Sequence, residues 1–289
     1  MNSFDRVMKD LLNERLSRIE EHLDGDAAFL LGPIFPQLTR SFRDFIENLP
    51  GTKSRSSRLI LLLNTPGGDV ETVEKLVEII RHHYQEVFFV VPDLAMSAGT
   101  ILCMSGDRIY MDYSSALGPI DPQVFNGKEW VPALGYLDKV SELLEKARNG
   151  NLSDAEFIIL QNQDLARLRR FEQARELTVT LLKKWLVEFK FKNWSNHQSS
   201  PQKMGKPVTA DEKNERAEEI ARLLGDNKVW HSHGRRLGAK TLRKELRLEI
   251  HDYSADENLK GVIRGYNDVL TEFVAQKNLS TFLHHRNNF

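Results

Sequence analysis

The chain has 289 residues, of which 28% are charged and 40% hydrophobic, and its formal net charge is −1. That balance gives no electrostatic ground for binding nucleic acid or a membrane surface. No apolar run reaches the ~18 residues of a membrane span, and a single cysteine, Cys103, excludes an internal disulfide. In chain order, residues 3–23 place Phe4, Val7, Met8, Leu11, Leu12, Leu16, Ile19 and Leu23 at helical spacing. This first segment is amphipathic and charged rather than signal-like, and the expected location is cytoplasmic. Residues 27–31 read as a short strand and 37–49 as a helix ended by Pro50-Gly51. Residues 58–64 and 86–91 are near-continuous apolar runs, as expected of strands covered on both faces. Residues 70–84 between them have helical periodicity, which makes a βαβ unit, and 107–111 is a further strand. The alternation predicts a layered α/β core.

Two of these runs end in turns that carry chemistry. The first leads into Asn64-Thr65-Pro66-Gly67-Gly68, the second into Ala95-Met96-Ser97-Ala98-Gly99-Thr100. Glycines at 67 and 68 leave backbone amides open to a ligand and permit the dihedrals that turn them into a pocket. Ser97 sits among small residues at a strand-to-helix junction. A hydroxyl beside amides aimed at a developing oxyanion is the equipment of acyl transfer. The plainer alternative is that Ser97 caps the helix and the glycines form an ordinary turn.

Beyond Pro132 the chain changes character. Residues 133–147 are helical, Asn149-Gly150-Asn151 breaks the helix, and Ser153 N-caps a long helix predicted to run through Lys190. Residues 193–207 are polar and aperiodic, the pattern of a mobile loop. Residues 211–224, 240–248 and 257–274 read as helices. The division expected is an N-terminal helix (1–26), a core domain (27–150), a helical insertion and loop (151–208), and C-terminal helices that complete the core and oligomer contacts (209–289). His231 and His233 lack a third ligand at metal spacing, so no metal is expected, and His233 is expected to cap or pack. His82-His83 and His284-His285 adjoin arginines and read as solvated surface. Cys103 reads as a small core residue.

The two turns, together with Leu117-Gly118-Pro119-Ile120-Asp121-Pro122-Gln123, resemble the Clp/crotonase-fold serine peptidases. The likeness is strongest to the serine dehydrogenase proteinases, relatives of signal peptide peptidase A and of the Clp protease catalytic subunit. It is dense over 58–140, with a weaker echo at 230–250. The fold it implies is α/β, a Clp/crotonase-like layered fold with repeated β-β-α units, plus a long helical insertion and terminal helices. It implies a serine endopeptidase acting on a peptide or unfolded protein, without a cofactor, as a homo-oligomer (trimer, hexamer or other ring).

Carried over residue by residue, Ser97 becomes the nucleophile, the N–H groups of Gly68 and Ala98 the oxyanion hole, and Gly67 and Asp121 substrate-binding positions. The His that follows the nucleophile in the Clp subunit has no counterpart in 118–124, where Asp121 stands instead. Signal-peptide-peptidase relatives use a Lys roughly forty to fifty residues beyond the Ser, and Lys139 lies in that window. A lysine base must be neutral, and Tyr136, Leu137, Val140 and Leu143 offer an apolar face to bury it, although Asp138 opposes this. His233 remains an alternative base. An acyl-CoA enzyme and a non-catalytic oligomeric scaffold of the same fold remain alternative functions.

Overall fold

In the computed structural model, which describes residues 2–49, 57–125, 130–198 and 201–289, the chain begins α1 (Ser3–Leu23), β1 (Asp26–Leu31), α2 (Leu38–Glu47), β2 (Arg58–Asn64), α3 (Val70–His83) and β3 (Glu86–Val90). It continues through β4 (Leu94–Ala95), α4 (Ala98–Met104), β5 (Arg108–Met111), β6 (Ala116–Leu117), β7 (Gln123–Phe125), β8 (Trp130–Pro132), α5 (Ala133–Arg148), α6 (Asp154–Gln161) and α7 (Leu165–Trp185). The last part comprises α8 (Ala210–Gly225), α9 (Asn227–Trp230), α10 (Ala239–Glu245), β9 (His251–Asp252), α11 (Glu257–Gln276) and β10 (Phe282–His284).

The main sheet has the order β10-β1-β2-β3-β5-β9, parallel throughout except for β10. Strand β2 shows why both its faces had to be apolar. Leu59, Leu61 and Leu63 enter one core, with α2, α3, α4, α7, α8 and α10, while Ile60 and Leu62 enter the other, under α1 and α11. Side chains alternate across a strand, so a run without polar residues serves a sheet buried on both sides. A second, two-stranded parallel sheet, β4-β6, stands beside the first. Each of its strands follows a strand of the main sheet, β4 after β3 and β6 after β5, which gives the β-β-α repetition that the layered fold requires.

Local capping places the helices. Asp69 accepts the Thr72 amide at 2.7 Å to start α3 directly after the Gly-Gly turn. The helix predicted over 153–190 is instead two. α6 stops at Gln161, and Asp164 accepts the amides of Ala166 (2.9 Å) and Arg167 (3.1 Å) to start α7, because a local Asx cap satisfies the backbone there better than continuation does. The end of α7 passes into a π-helical turn, Leu186–Lys190. In the polar segment that follows, Asn196 bridges to Pro207 and His197 Nε2 lies 3.2 Å from Glu212. Helix α11 is tied to the loop before β6 by the Arg264–Asp112 pair (Nε–Oδ2 2.9 Å). Burial works to raise the Asp112 carboxyl, but bonds from Ser114 and Arg264 outweigh it and hold it at about 2.

The largest departure from the sequence reading is at His284 and His285, predicted as surface and in fact buried, 0% and 1% exposed. The reason is β10, which pairs antiparallel with β1 up to His284 and delivers the next residue, His285, to Phe45 of α2, ring centroids 4.7 Å apart. The Tyr266 hydroxyl and His284 Nδ1 share a hydrogen bond of 2.6 Å. Desolvation lowers both imidazoles, His284 to about 3 and His285 to about 4. Their unfolded values are ~6.5, so the unfolded chain binds more protons below that pH. Stability from these groups is therefore complete above pH 6.5 and is lost as pH falls toward 4 and 3. At pH 5 the loss should be on the order of 2 kcal/mol per histidine. A urea midpoint that stays constant between pH 7 and pH 5 would contradict this.

Candidate active site

The two chemistry-bearing turns meet. The Thr65 amide donates to the Leu94 carbonyl at 3.0 Å and the Met96 amide to the Thr65 carbonyl at 3.0 Å, so the end of β2 runs alongside β4. A Cβ placed on Gly67 would lie 2.7 Å from the Met96 carbonyl oxygen and 2.9 Å from Ser97 Cβ. The glycine at 67 is therefore what lets this turn lie against Ser97. Gly67 and Gly68 have φ of +105° and +151°, which L side chains rarely adopt.

Ser97 itself has φ +50° and ψ −114° at the N-cap of α4. A non-glycine residue there stores roughly 1–3 kcal/mol of strain, which persists only where the surroundings impose it. Its side chain makes no capping hydrogen bond, so the plainer reading of Ser97 as a helix cap does not hold. The Gly99 amide is occupied by the Met96 carbonyl at 2.8 Å. At Gly68 the parallel bridge to Ile34 uses the Gly67 carbonyl (2.9 Å) and the Asp69 amide (2.8 Å). The Gly68 N–H is thus not used in the bridge to Ile34.

Thr100 and Gly118 are contributors whose roles the sequence reading did not assign. The buried Thr100 hydroxyl accepts the Gly118 amide at 2.9 Å and donates to the Ala95 carbonyl at 2.8 Å, which fixes the end of β6 to the end of β4. A Cβ on Gly118 would come within 2.6 Å of Met96 Cε and 3.2 Å of the Ser97 nitrogen. The small residues in both motifs are the visible signal of this close approach. Cys103 is buried, as expected, and burial pushes its thiol up.

Two candidate residues, Lys139 and Asp121, lie otherwise than expected. Lys139 is on α5, its side chain 57% exposed, with Nζ 3.0 Å from each carboxylate oxygen of Glu142. The apolar face expected to bury the amine is taken by α7, since Tyr136, Leu137 and Val140 pack against Leu168 and Phe171. Asp121 does not face solvent as a substrate-binding residue would. It is 1% exposed and accepts from Gln123 Nε2 at 2.8 Å through Oδ2. Its Oδ1 lies 2.9 Å from His233 Nδ1, so His233 packs as expected, but against a buried carboxylate.

The sequence profile of the ClpP-like SDH-type serine proteinases matches residues 4–221. The chain belongs to this family, a class of mixed α/β serine proteinases. Among curated proteins it is 26% identical over 192 residues to the uncharacterized protein MJ0137 of Methanocaldococcus jannaschii, covering 66% of this chain and 63% of that one. It is 25% identical over 180 residues to the uncharacterized protein MJ1495 of the same organism, covering 62% of this chain and 57% of that one. The chain thus spans about 60% of the length of the curated relatives it matches. Two solved structures of the 1510-N membrane-bound stomatin-specific protease are similar. A serine-to-alanine mutant has a TM-score of 0.43 and 13% identity, covering 78% of this chain and 77% of that one. A lysine-to-alanine mutant in complex with a substrate peptide has a TM-score of 0.43 and 15% identity, covering 78% and 73%. Among the described residues, no helix is long and apolar enough to cross a membrane.

Proposed function

We propose that this chain hydrolyses internal peptide bonds in peptides or unfolded proteins, with Ser97 as nucleophile and the amides of Gly68 and Ala98 holding the oxyanion. The observation that carries this is Ser97 itself: strained, free of any capping bond, and pressed against the Gly67-Gly68 turn. An acyl-CoA enzyme of the same fold would use the amides but has no role for a strained serine, and a scaffold would need neither. Gly67 lets the substrate backbone approach. The direct test is a serine-reactive fluorophosphonate followed by peptide mapping. Label on Ser97 is expected, and its absence overturns the assignment.

Two side chains compete as the base. The family resemblance implies Lys139, whose amine would have to leave Glu142 and be desolvated, as by a second copy packing on α5. The hydrogen bond between His233 and Asp121 favours His233 instead.

We also propose a homo-oligomer. The apolar stripe of α1 is used within the chain, where Leu12, Leu16 and Ile19 are fully buried. Helix α6 differs. Phe157, Ile158 and Ile159 are each more than half exposed, and none of its residues is buried. This supports the division that treats 151–208 as an insertion beside the core, with α6 meeting another subunit. Light scattering should give a multiple of the 33.3 kDa chain mass. A monomer at micromolar concentration rules the assembly out.

A further inference from the structure

We infer that Asp93 is a positioning residue for Ser97, held in place by Asn267 of α11; this rests on Ser97 being the nucleophile. Asp93 lies in the short connection between β3 and β4 and joins three parts of the fold. Its Oδ2 accepts from Asn64 Nδ2 at 3.0 Å, at the end of β2, and from Asn267 Nδ2 at 2.8 Å, in the middle of α11. Its backbone carbonyl accepts the Ala116 amide at 2.8 Å, at the start of β6. A carboxylate acceptor makes such bonds roughly twice as strong as neutral ones.

Asn267 stands where α11 calls for an apolar residue. Leu259, Ile263, Tyr266 and Leu270 belong to the buried stripe of this helix, and Asn267, 3% exposed, interrupts it. A buried amide costs stability unless it is hydrogen-bonded, and asparagine is a weak helix former. Among the described residues its Oδ1 finds no partner, so the bond to Asp93 is the one this amide group makes. Packing alone would favour leucine here; the amide serves Asp93.

The bond between Asn64 and Asp93 sits one residue ahead of the contacts that assemble the site. Asn64 precedes Thr65 and Asp93 precedes Leu94, and the Thr65 amide donates to the Leu94 carbonyl while the Met96 amide donates to the Thr65 carbonyl, both at 3.0 Å. Those two segments then lead directly to Gly67 and to Ser97, where a Cβ on the glycine would lie 2.9 Å from Ser97 Cβ. The backbone pairing that carries Ser97 is short, since β4 pairs with β6 through Leu94 and Ala95. Ser97 at φ +50° persists only where its surroundings impose that conformation. Asp93 supplies part of that imposition by fixing the segment that carries Ser97 against the segment that carries the Gly67-Gly68 turn. The transition state needs the hydroxyl and the turn's amides aligned at once, and a displacement on the order of 1 Å costs up to ~10² in rate. Contacts to the rest of a bound peptide are spared, so the cost falls on kcat rather than KM.

The test exchanges the two partners. Asp93→Asn turns an N–H toward another N–H, and Asn267→Asp sets two carboxylates side by side. Each should lower kcat on unfolded casein about 10-fold with KM within about twofold, and slow fluorophosphonate labelling of Ser97 by a like factor. The double variant again sets a donor against an acceptor at both bonds, and its kcat should return to within about threefold of the parent. A double variant no faster than the slower single overturns the inference. So do single variants whose melting temperature falls while the folded protein keeps the parent kcat and labelling rate, since that is support of the fold alone. If the substitutions at 93 and 267 prevent folding, Asn64→Ala removes only the more exposed bond; labelling slowed about threefold or more is expected, and labelling at the parent rate overturns the inference. If Ser97→Ala is inactive while Asp93→Asn and Asn64→Ala match the parent, this inference alone falls. If Ser97→Ala is active, the nucleophile falls and the positioning role with it.

Discussion

Replacing Ser97 with alanine is expected to abolish casein hydrolysis and fluorophosphonate labelling while leaving the melting temperature within a few degrees of the parent. The two halves of this result have separate causes. The hydroxyl makes no capping hydrogen bond, so its removal leaves no buried partner unsatisfied. The backbone at φ +50° disfavours alanine and serine alike, so the strain is almost the same in both proteins. Catalysis, by contrast, loses the atom that bonds to the substrate carbon. Losing the nucleophile of a serine hydrolase costs kcat about 10⁴-fold or more, and what persists is oxyanion stabilisation and binding alone. Activity near the parent level would transfer the chemistry elsewhere. A large fall in melting temperature would mean that Ser97 supports the fold rather than the reaction.

Gly68→Val should have the other large effect, and on stability before activity. From the sequence, a side chain at 68 is expected to crowd the substrate backbone. In the structure it meets the protein's own backbone instead. A Cβ there overlaps the Ile34 carbonyl oxygen and lies 2.7 Å from the Ile34 carbonyl carbon and 2.9 Å from its nitrogen. Backbone cannot rotate aside as a flexible side chain can, and φ is +151°, which valine does not tolerate. The Ile34–Gly67 and Asp69–Ile34 hydrogen bonds must break or stretch, and they join the extension of β1 to the start of α3. The expected destabilisation is about 4 kcal/mol or more. It should appear as a lowered urea midpoint and poor soluble yield. A variant with an unchanged midpoint and only reduced turnover would show that the Gly68 position faces substrate after all.

Much of this molecule is written locally. The run from Leu59 to Leu63 has no polar residue, which only a strand covered on both sides accepts, and of the apolar positions that the spacing of α1 marked, Leu12, Leu16, Ile19 and Leu23 are buried while Phe4 and Val7 stay exposed. The Gly67-Gly68 turn and the small residues around Ser97 sit within a few positions of the strands that position them, so they were legible as a site. What lies beyond one turn of helix or one strand was not. His233 and Asp121 are 112 residues apart, and their meeting depends on the chain after α9 returning to the end of β6, where Leu237 bridges Leu117, which no neighbouring residue encodes. His284 and His285 look like surface beside Arg286 and become core only because β10 returns to pair with β1. Lys139 has apolar neighbours in sequence, yet its amine stays in solvent because those neighbours pack against α7. Periodicity tells which face of an element is apolar; which partner covers that face, and what polar atom is left outside it, is settled by long-range packing summed over the whole chain.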